Sequence, residues 1–190
     1  MYLIIQSTSW MSDKGKLPPL IAVPGKFGIV SGILGFGLLL VLYLIDRHPF
    51  LIPVFFDFRV LLFLVFIFFA LKELREDHFQ GILYFWQGMI GAFVLTFIFA
   101  LISSTMLFIF MQLETDFLDS YIRLMEQQLR GLPPEVIDRI GKETYDMNLN
   151  KLPTTTAWDL TFLYLWQSFM ISLFISIILS VILRRQPKTQ

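Results

Sequence analysis

The chain has 190 residues, of which 56% are hydrophobic, and its formal net charge is zero. It contains no cysteine, which excludes disulfides, thiolate nucleophiles and cysteine-based metal sites. Mostly apolar runs of about 18 or more residues are long enough to cross a hydrocarbon core, and the chain has four of them. They cover residues 27–45, 50–71, 82–113 and 157–183. The sequence therefore predicts a single-domain, all-α, polytopic membrane protein with four transmembrane helices.

Residues 1–25 are predicted to be a cytoplasmic segment and not a signal peptide, because no basic residue precedes their short apolar run. The first apolar stretch carries small residues on one helix face. Gly28 and Gly32 are four residues apart, as are Ser31 and Gly35. Small residues at this spacing let membrane helices approach closely. We favour a packing face, with a conduction or hinge helix as the alternative.

The second stretch is rich in phenylalanine and carries two ionisable residues near its start, Asp57 and Arg59. Pro49 and Pro53 precede them, and proline is tolerated mainly in a first turn or a connection. A helix that begins near Phe55 would place both charges at the outer interface, which is the interpretation we favour. The alternative is a buried functional pair, because ionisable groups inside a membrane are functional candidates. Residues two apart do not share a helix face.

The third stretch spans about 32 residues, or roughly 48 Å as a helix, so it must tilt, kink or project beyond a core of about 30 Å. Small residues recur in it at every fourth position: Gly88, Ala92, Thr96, Ala100 and Ser104. Gln87 lies beside the start of this stripe and is a candidate functional polar residue.

The fourth stretch carries a serine at every fourth position: Ser168, Ser172, Ser176 and Ser180. Such a ladder can line a polar path, or it can be a small packing face whose hydroxyls bond to the preceding turn. An ion or proton path normally needs ionisable groups, and the sequence between Leu160 and Leu183 has none. We therefore favour packing. Either the small-residue stripes of the third and fourth stretches contact each other, or one of these stripes packs against the first stretch.

The acidic segment 114–156 is predicted to be an extracytoplasmic insert of two amphipathic helices, separated by Leu132–Glu135. Its apolar positions are Phe117, Leu118, Tyr121, Leu124 and Met125 in the first helix, then Val136, Ile137 and Ile140 in the second. These faces are candidates for contact with a partner or with the membrane surface. The insert could lie on the membrane–water boundary, fold over the bundle or bind a partner.

Lysine and arginine near the ends of membrane spans mark the cytoplasmic side. By that rule both termini are cytoplasmic, including the basic tail 184–190, and the insert is outside. The residues that decide this are Lys26, Lys72, Arg75, Arg184 and Arg185. In this topology His48 and His78 fall on opposite sides and cannot share a metal ion.

The order of these elements is similar to that of a known family. The segment Gln80–Gly88 that opens the third stretch, the Phe117–Leu129 segment, the Leu132–Glu135 break and the basic tail resemble the bacterial domain-of-unknown-function family 4199. The resemblance covers about Lys26 to Arg185. It implies a small four-helix protein of the bacterial inner membrane with no assigned activity, and it transfers no site residues.

The sequence contains no catalytic or metal-binding constellation, and no cofactor or nucleic acid is expected. We expect a non-enzymatic accessory or scaffold subunit in the lipid bilayer. Its partner would be another membrane protein or a second copy, bound through helix faces and the insert. One alternative is a small transporter or channel component, with Asp57, Arg59, Gln87 and the serine ladder along its path. Another is a membrane partner of a glycosyltransferase that acts on a lipid carrier.

Overall fold

The computed structural model describes residues 17–186, and within them the chain forms seven α-helices. They are α1 (Pro19–Leu44), α2 (Phe58–Glu73), α3 (Phe85–Leu113), α4 (Thr115–Arg130), α5 (Pro134–Ile140), α6 (Lys142–Lys151) and α7 (Ala157–Leu183). Short 3₁₀ turns occupy Pro49–Leu51, Val54–Phe56 and Leu152–Thr154, and a π-helical turn at Leu74–His78 extends α2. The predicted all-α class is confirmed for this part of the chain. Most of the 1–25 segment and residues 187–190 of the tail lie outside it.

Three of the described helices, α1, α3 and α7, are long and apolar enough to cross a membrane. Four were predicted, and the difference lies in the second stretch. Its helix α2 has 16 residues, about 24 Å at 1.5 Å per residue, against a hydrocarbon core of about 30 Å. Pro49 and Pro53 begin two 3₁₀ turns in the residues that lead into α2. The helix therefore begins at Phe58 and not near Phe55.

Helices α1 and α3 also differ from the predicted bounds at their starts. Helix α1 begins at Pro19, eight residues before the expected 27, because Pro18 and Pro19 suit a first helical turn. Pro24 lies inside the helix. Helix α3 begins at Phe85 instead of residue 82, and α7 begins at Ala157 as expected.

The long helices form a bundle in which neighbours alternate in direction along the chain. Gly28 lies against Leu95 and Gly32, one turn later, against Phe99, so α1 and α3 are parallel. The end of α2 meets the beginning of α3, where Leu71 packs on Gly91. Helix α7 runs antiparallel to α3. We call the end near residues 114–156 the insert end, and the opposite end the tail end.

Two contacts close the tail end of the bundle. The backbone groups of Leu83 and Arg185 exchange two hydrogen bonds of 3.0 and 2.9 Å, which join the segment before α3 to the residues after α7. The Lys26 ammonium lies 3.6 Å from the Glu73 carboxylate, linking α1 to α2.

Candidate functional site

The polar cluster at the start of α2 contains the one ion pair, among those of the described residues, whose two side chains are both buried. Arg59 and Asp57 are only 4% and 9% exposed. Asp57 is the N-cap of α2, and its Oδ1 accepts a hydrogen bond from the Arg59 backbone N–H at 2.9 Å. A carboxylate at this position also lies at the positive end of the helix dipole.

The Arg59 guanidinium uses every donor it has. Its Nε–H donates to the Asp57 carboxylate at 2.9 Å, and one Nη2–H donates to Asp57 Oδ2. The other Nη2–H donates to Gln167 Oε1 at 2.8 Å, and Nη1 donates to the Tyr164 carbonyl and the Ser168 hydroxyl, both at 3.1 Å. A guanidinium has five N–H donors. None is left to bind a substrate.

The cluster continues through Tyr164 into α3. The Arg59 guanidinium carbon lies 4.5 Å from the centroid of the Tyr164 ring, a cation–π contact. The Tyr164 hydroxyl is hydrogen-bonded to Ser103 Oγ at 2.9 Å. Three helices, α2, α3 and α7, are therefore joined by one network of satisfied polar groups.

This arrangement corrects the inference that Asp57 and Arg59 do not meet because residues two apart share no helix face. The face argument applies to two helical residues, but Asp57 precedes the helix and its side chain folds back over the first turn. Both side chains are enclosed by protein. Sequence reasoning also missed Tyr164 and Gln167. A signal for Tyr164 existed, because it lies four residues before Ser168 and so extends the serine ladder by one turn.

The two stripes of small residues in α3 and α7 face each other. A Cβ atom on Gly88 would lie 2.7 Å from Ser180 Oγ, and the hydroxyls of Thr96 and Ser172 are hydrogen-bonded. The same antiparallel register brings Ala92 level with Ser176 and Ala100 level with Ser168. These residues form the contact between the two helices.

Most hydroxyls in this contact bond to their own helix. Thr96 donates to the Ala92 carbonyl at 2.8 Å, Ser168 to the Tyr164 carbonyl at 2.8 Å, and Ser176 to the Ser172 carbonyl at 2.6 Å. This is the back-bonding that lets serine act as a small residue in an apolar helix. Among described residues, the buried hydroxyls of Ser104 and Ser180 have no hydrogen-bond partner.

The glycine face of α1 packs on a different face of α3. A Cβ on Gly28 would lie 2.8 Å from the Leu95 carbonyl oxygen, and one on Gly35 would lie 2.6 Å from the Phe99 ring. A Cβ on Gly32 would lie 3.1 Å from Ile102 Cβ. Helix α3 therefore contacts α1 and α7 along two separate sides.

Gln87 lies at the start of α3, away from the cluster at Asp57. Its side-chain oxygen accepts a hydrogen bond of 3.0 Å from the Tyr84 backbone N–H, which is a helix-capping contact.

A cavity of about 240 Å³ opens between α3 and α7, with Phe93 and Trp166 at its apolar rim and Thr96 and Ser172 at its floor. Gln87 does not line it.

The first helix of the insert, α4, folds back onto the bundle, which is one of the three expected positions. Phe117 is fully buried, and its ring lies among those of Tyr43, Phe110 and His48 at centroid distances of 5.0, 5.6 and 4.7 Å. Tyr121 is also buried. Leu118, Leu124 and Met125 are partly buried.

The predicted second helix of the insert is two short helices, α5 and α6, and neither contains a buried residue. Val136 and Ile137 are partly exposed, and Ile140 is 45% exposed. The described part of the chain therefore covers the apolar side chains of α5 only in part.

His48 holds the turn after α1 against α4. Its Nε2 is 3.1 Å from the Phe117 carbonyl oxygen, to which it donates as the neutral ring. Burial lowers the pKa of His48 below its ordinary value, and the hydrogen bond to Phe117 opposes this shift in part.

His78 lies at the tail end, in the π-helical turn. Within residues 17–186, no group of three or more His, Cys, Asp or Glu side chains could hold a metal ion.

The fold and this site define an all-helical protein with membrane-type helices, joined by a polar network that its own side chains satisfy. A family model described as "Protein of unknown function (DUF4199)" matches residues 26–185. The chain therefore belongs to this family, as the sequence resemblance indicated. No curated protein and no solved structure matches the chain.

Proposed function

We propose that this protein is a non-catalytic, multi-pass subunit of the bacterial inner membrane that binds another membrane protein or a second copy of itself. One observation carries the proposal. All N–H donors of the buried Arg59 guanidinium form hydrogen bonds to groups within the chain. Ionisable groups inside a membrane protein are functional candidates when they face a path or a substrate. Here the pair links helices instead, which suits a rigid scaffold.

The direction of the helices supports four crossings of the membrane. Helices α1 and α3 are parallel and both are long enough to span, so the chain must return from the insert end to the tail end between residues 44 and 85. Helix α2 is the element that makes this return. Its 16 residues are extended by the 3₁₀ turns before it and the π-helical turn after it, and a short span can be accommodated by local thinning of the bilayer. In this proposal both termini are cytoplasmic and the insert is outside.

The surface proposed for partner binding is formed by α5 and α6. The docking of α4 on the bundle removes Phe117 and Tyr121 from any contact surface, since both are buried. Ile140 and Met147 remain, at 45% and 61% exposure. Exposed apolar groups rimmed by polar residues are typical of protein contact sites.

The test uses photo-crosslinking side chains at single positions in the full chain, in native membranes. A probe in place of Ile140 is expected to give one discrete adduct, either with another protein or with a second copy. A probe in place of Asp138, on the exposed polar face of the same helix, is the matched control. Ile140→Asp is expected to abolish co-purification of the crosslinked species while leaving the helical content unchanged. A lone monomer after mild extraction, with no adduct from Ile140, would refute the proposal.

A transport or channel role is the alternative, and the α3–α7 cavity is where such a path would run. Because the chain has no cysteine, single replacements report cleanly on water access. Ser172→Cys and Ser176→Cys are expected to be inert to a membrane-impermeant thiol reagent, whereas Lys142→Cys in the exposed insert is expected to react. Labelling at Ser172 and Ser176 at the rate of Lys142 would favour the alternative. A partner role beside a glycosyltransferase acting on a lipid carrier is a special case of the first proposal and is decided by the identity of the adduct.

A further inference from the structure

A cavity of about 350 Å³ lies between the insert and the beginning of α7. Its apolar side is formed by Met125 and Leu129 of α4, and its polar side includes Asn148 and Lys151 of α6 and Asp159 of α7. Ligand sites in proteins start at about 300 Å³ and combine apolar walls with a few polar groups. This cavity has the size of a headgroup and not of a whole lipid.

The cavity lies at the height where a lipid headgroup would be found. Helix α7 is long and apolar enough to span a membrane, and Asp159 belongs to its first turn. The neighbouring Trp158 is 68% exposed, and its ring packs at a tilt against Phe108 with 4.3 Å between the centroids. Tryptophan at the end of a spanning helix is typical of the membrane–water interface. The cavity, which Asp159 lines, is therefore close to the level of lipid headgroups.

One positive and one negative group with unused capacity line the cavity. Among described residues Lys151 forms no ion pair. Asp159 accepts two hydrogen bonds from Thr156, from the backbone N–H at 2.8 Å and the hydroxyl at 2.7 Å, and both end on Oδ2. In the described part of the chain Oδ1 therefore has no partner. A ligand that matches the cavity carries a negative and a positive group together.

We propose that this cavity binds the headgroup of a zwitterionic phospholipid, phosphatidylethanolamine. The Lys151 ammonium and the Asn148 amide hold the phosphate, and Asp159 Oδ1 accepts a hydrogen bond from the lipid ammonium. The beginning of the acyl chains rests on Met125 and Leu129. Phosphatidylglycerol offers the phosphate without the ammonium, so it would leave Asp159 facing a second negative charge. This assignment does not rest on the partner proposed for α5.

The experiment is native mass spectrometry of the full chain, extracted in mild detergent, delipidated and titrated with one lipid at a time. The delipidated chain is expected to bind one added phosphatidylethanolamine. Phosphatidylglycerol with the same acyl chains is expected to bind about tenfold more weakly, the effect of losing one charge-assisted hydrogen bond. Lys151→Ala is expected to weaken phosphatidylethanolamine binding by about tenfold for the same reason. Lys142→Ala removes the same charge from the same helix outside the cavity and is expected to change nothing.

Asp159→Asn tests the ammonium contact, since asparagine keeps an oxygen for the Thr156 cap and loses the charge. Its expected effect is loss of the preference for phosphatidylethanolamine over phosphatidylglycerol. The proposal is overturned if wild-type protein binds both lipids equally, or if Lys151→Ala and Lys142→Ala behave alike. It is also overturned if soluble phosphoethanolamine displaces the lipid at equal concentration, because the ligand would then be a free small molecule. If Asp159→Asn does not fold, the difference in phosphatidylethanolamine binding between Lys151→Ala and Lys142→Ala still tests the proposal.

Discussion

Replacing Asp57 by asparagine should destabilise the protein strongly, because it strands a buried cation. Arg59 is 4% exposed, and among residues 17–186 Asp57 is the one acidic group that forms an ion pair with it. Removing one member of a buried ion pair costs about 3–5 kcal/mol of unfolding free energy. The neutral contacts between Arg59 and α7 are worth less, since hydrogen bonds between membrane helices average about 0.6 kcal/mol. We therefore expect Asp57→Asn to cost about 3 kcal/mol and Ser168→Ala less than about 1 kcal/mol.

A double-mutant cycle separates the stranded charge from the loss of contacts. Arg59→Met combined with Asp57→Asn removes both charges, so the double variant should be more stable than Asp57→Asn alone. The assay is unfolding of the full chain in mixed micelles by a denaturing detergent, followed by the fluorescence of the four tryptophans. The coupling free energy between the two positions should be at least about 1 kcal/mol.

The control is the exposed pair of Arg130 and Glu126, whose atoms are 2.8 Å apart at 63% and 40% side-chain exposure. Glu126→Gln makes the same chemical change and should cost no more than about 0.5 kcal/mol. If Asp57→Asn is as mild as Glu126→Gln, or if the two replacements at Asp57 and Arg59 are additive, the pair does not hold the bundle together and the reasoning fails.

Two further predictions concern packing and pH. Gly28→Ala should lower the free energy of unfolding by about 1–3 kcal/mol, because the added methyl group would meet the Leu95 carbonyl oxygen at 2.8 Å. Gly37→Ala on the same helix places its methyl group in open space and should be neutral or slightly stabilising. Equal thermal stabilities of the two variants would contradict the contact at Gly28. Burial lowers the pKa of His48 in the folded state below the unfolded value of about 6.5. Between these two pKa values the unfolded chain binds more protons than the folded chain. The free energy of unfolding should therefore fall as the pH drops below about 6.5. His48→Gln should remove this decline in melting temperature between pH 7.5 and 5.5, while the matched change at exposed His78 should preserve it; an identical decline in all three proteins would exclude His48 as its source.

Local features of the sequence were enough to predict the helices and part of their packing. Apolar length and composition identified α1, α3 and α7, because a helix that spans hydrocarbon must satisfy its own backbone and cover itself with apolar side chains. The four-residue spacing of the small residues from Gly88 to Ser104, and of the serines from Ser168 to Ser180, also placed each series on a single helix face, since that spacing is close to one helical turn.

Other features depended on contacts between residues far apart in the chain. Whether Asp57 and Arg59 met water or protein was decided by Tyr164 and Ser168, which are more than a hundred residues away. The second stretch looked long enough to span, yet its prolines shortened α2, and only the parallel packing of α1 and α3 requires the chain to return there.

The insert shows the same division. Its amphipathic pattern predicted an apolar face on α4 but left open what would cover it. The bundle covers it through Tyr43, Phe110 and His48 around Phe117, whereas no side chain of α5 is buried by the described part of the chain. Periodicity depends on neighbours along one helix, so the sequence carries it directly. The choice of the surface that buries a face depends on shape and charge brought together by folding, and only the tertiary structure decided it.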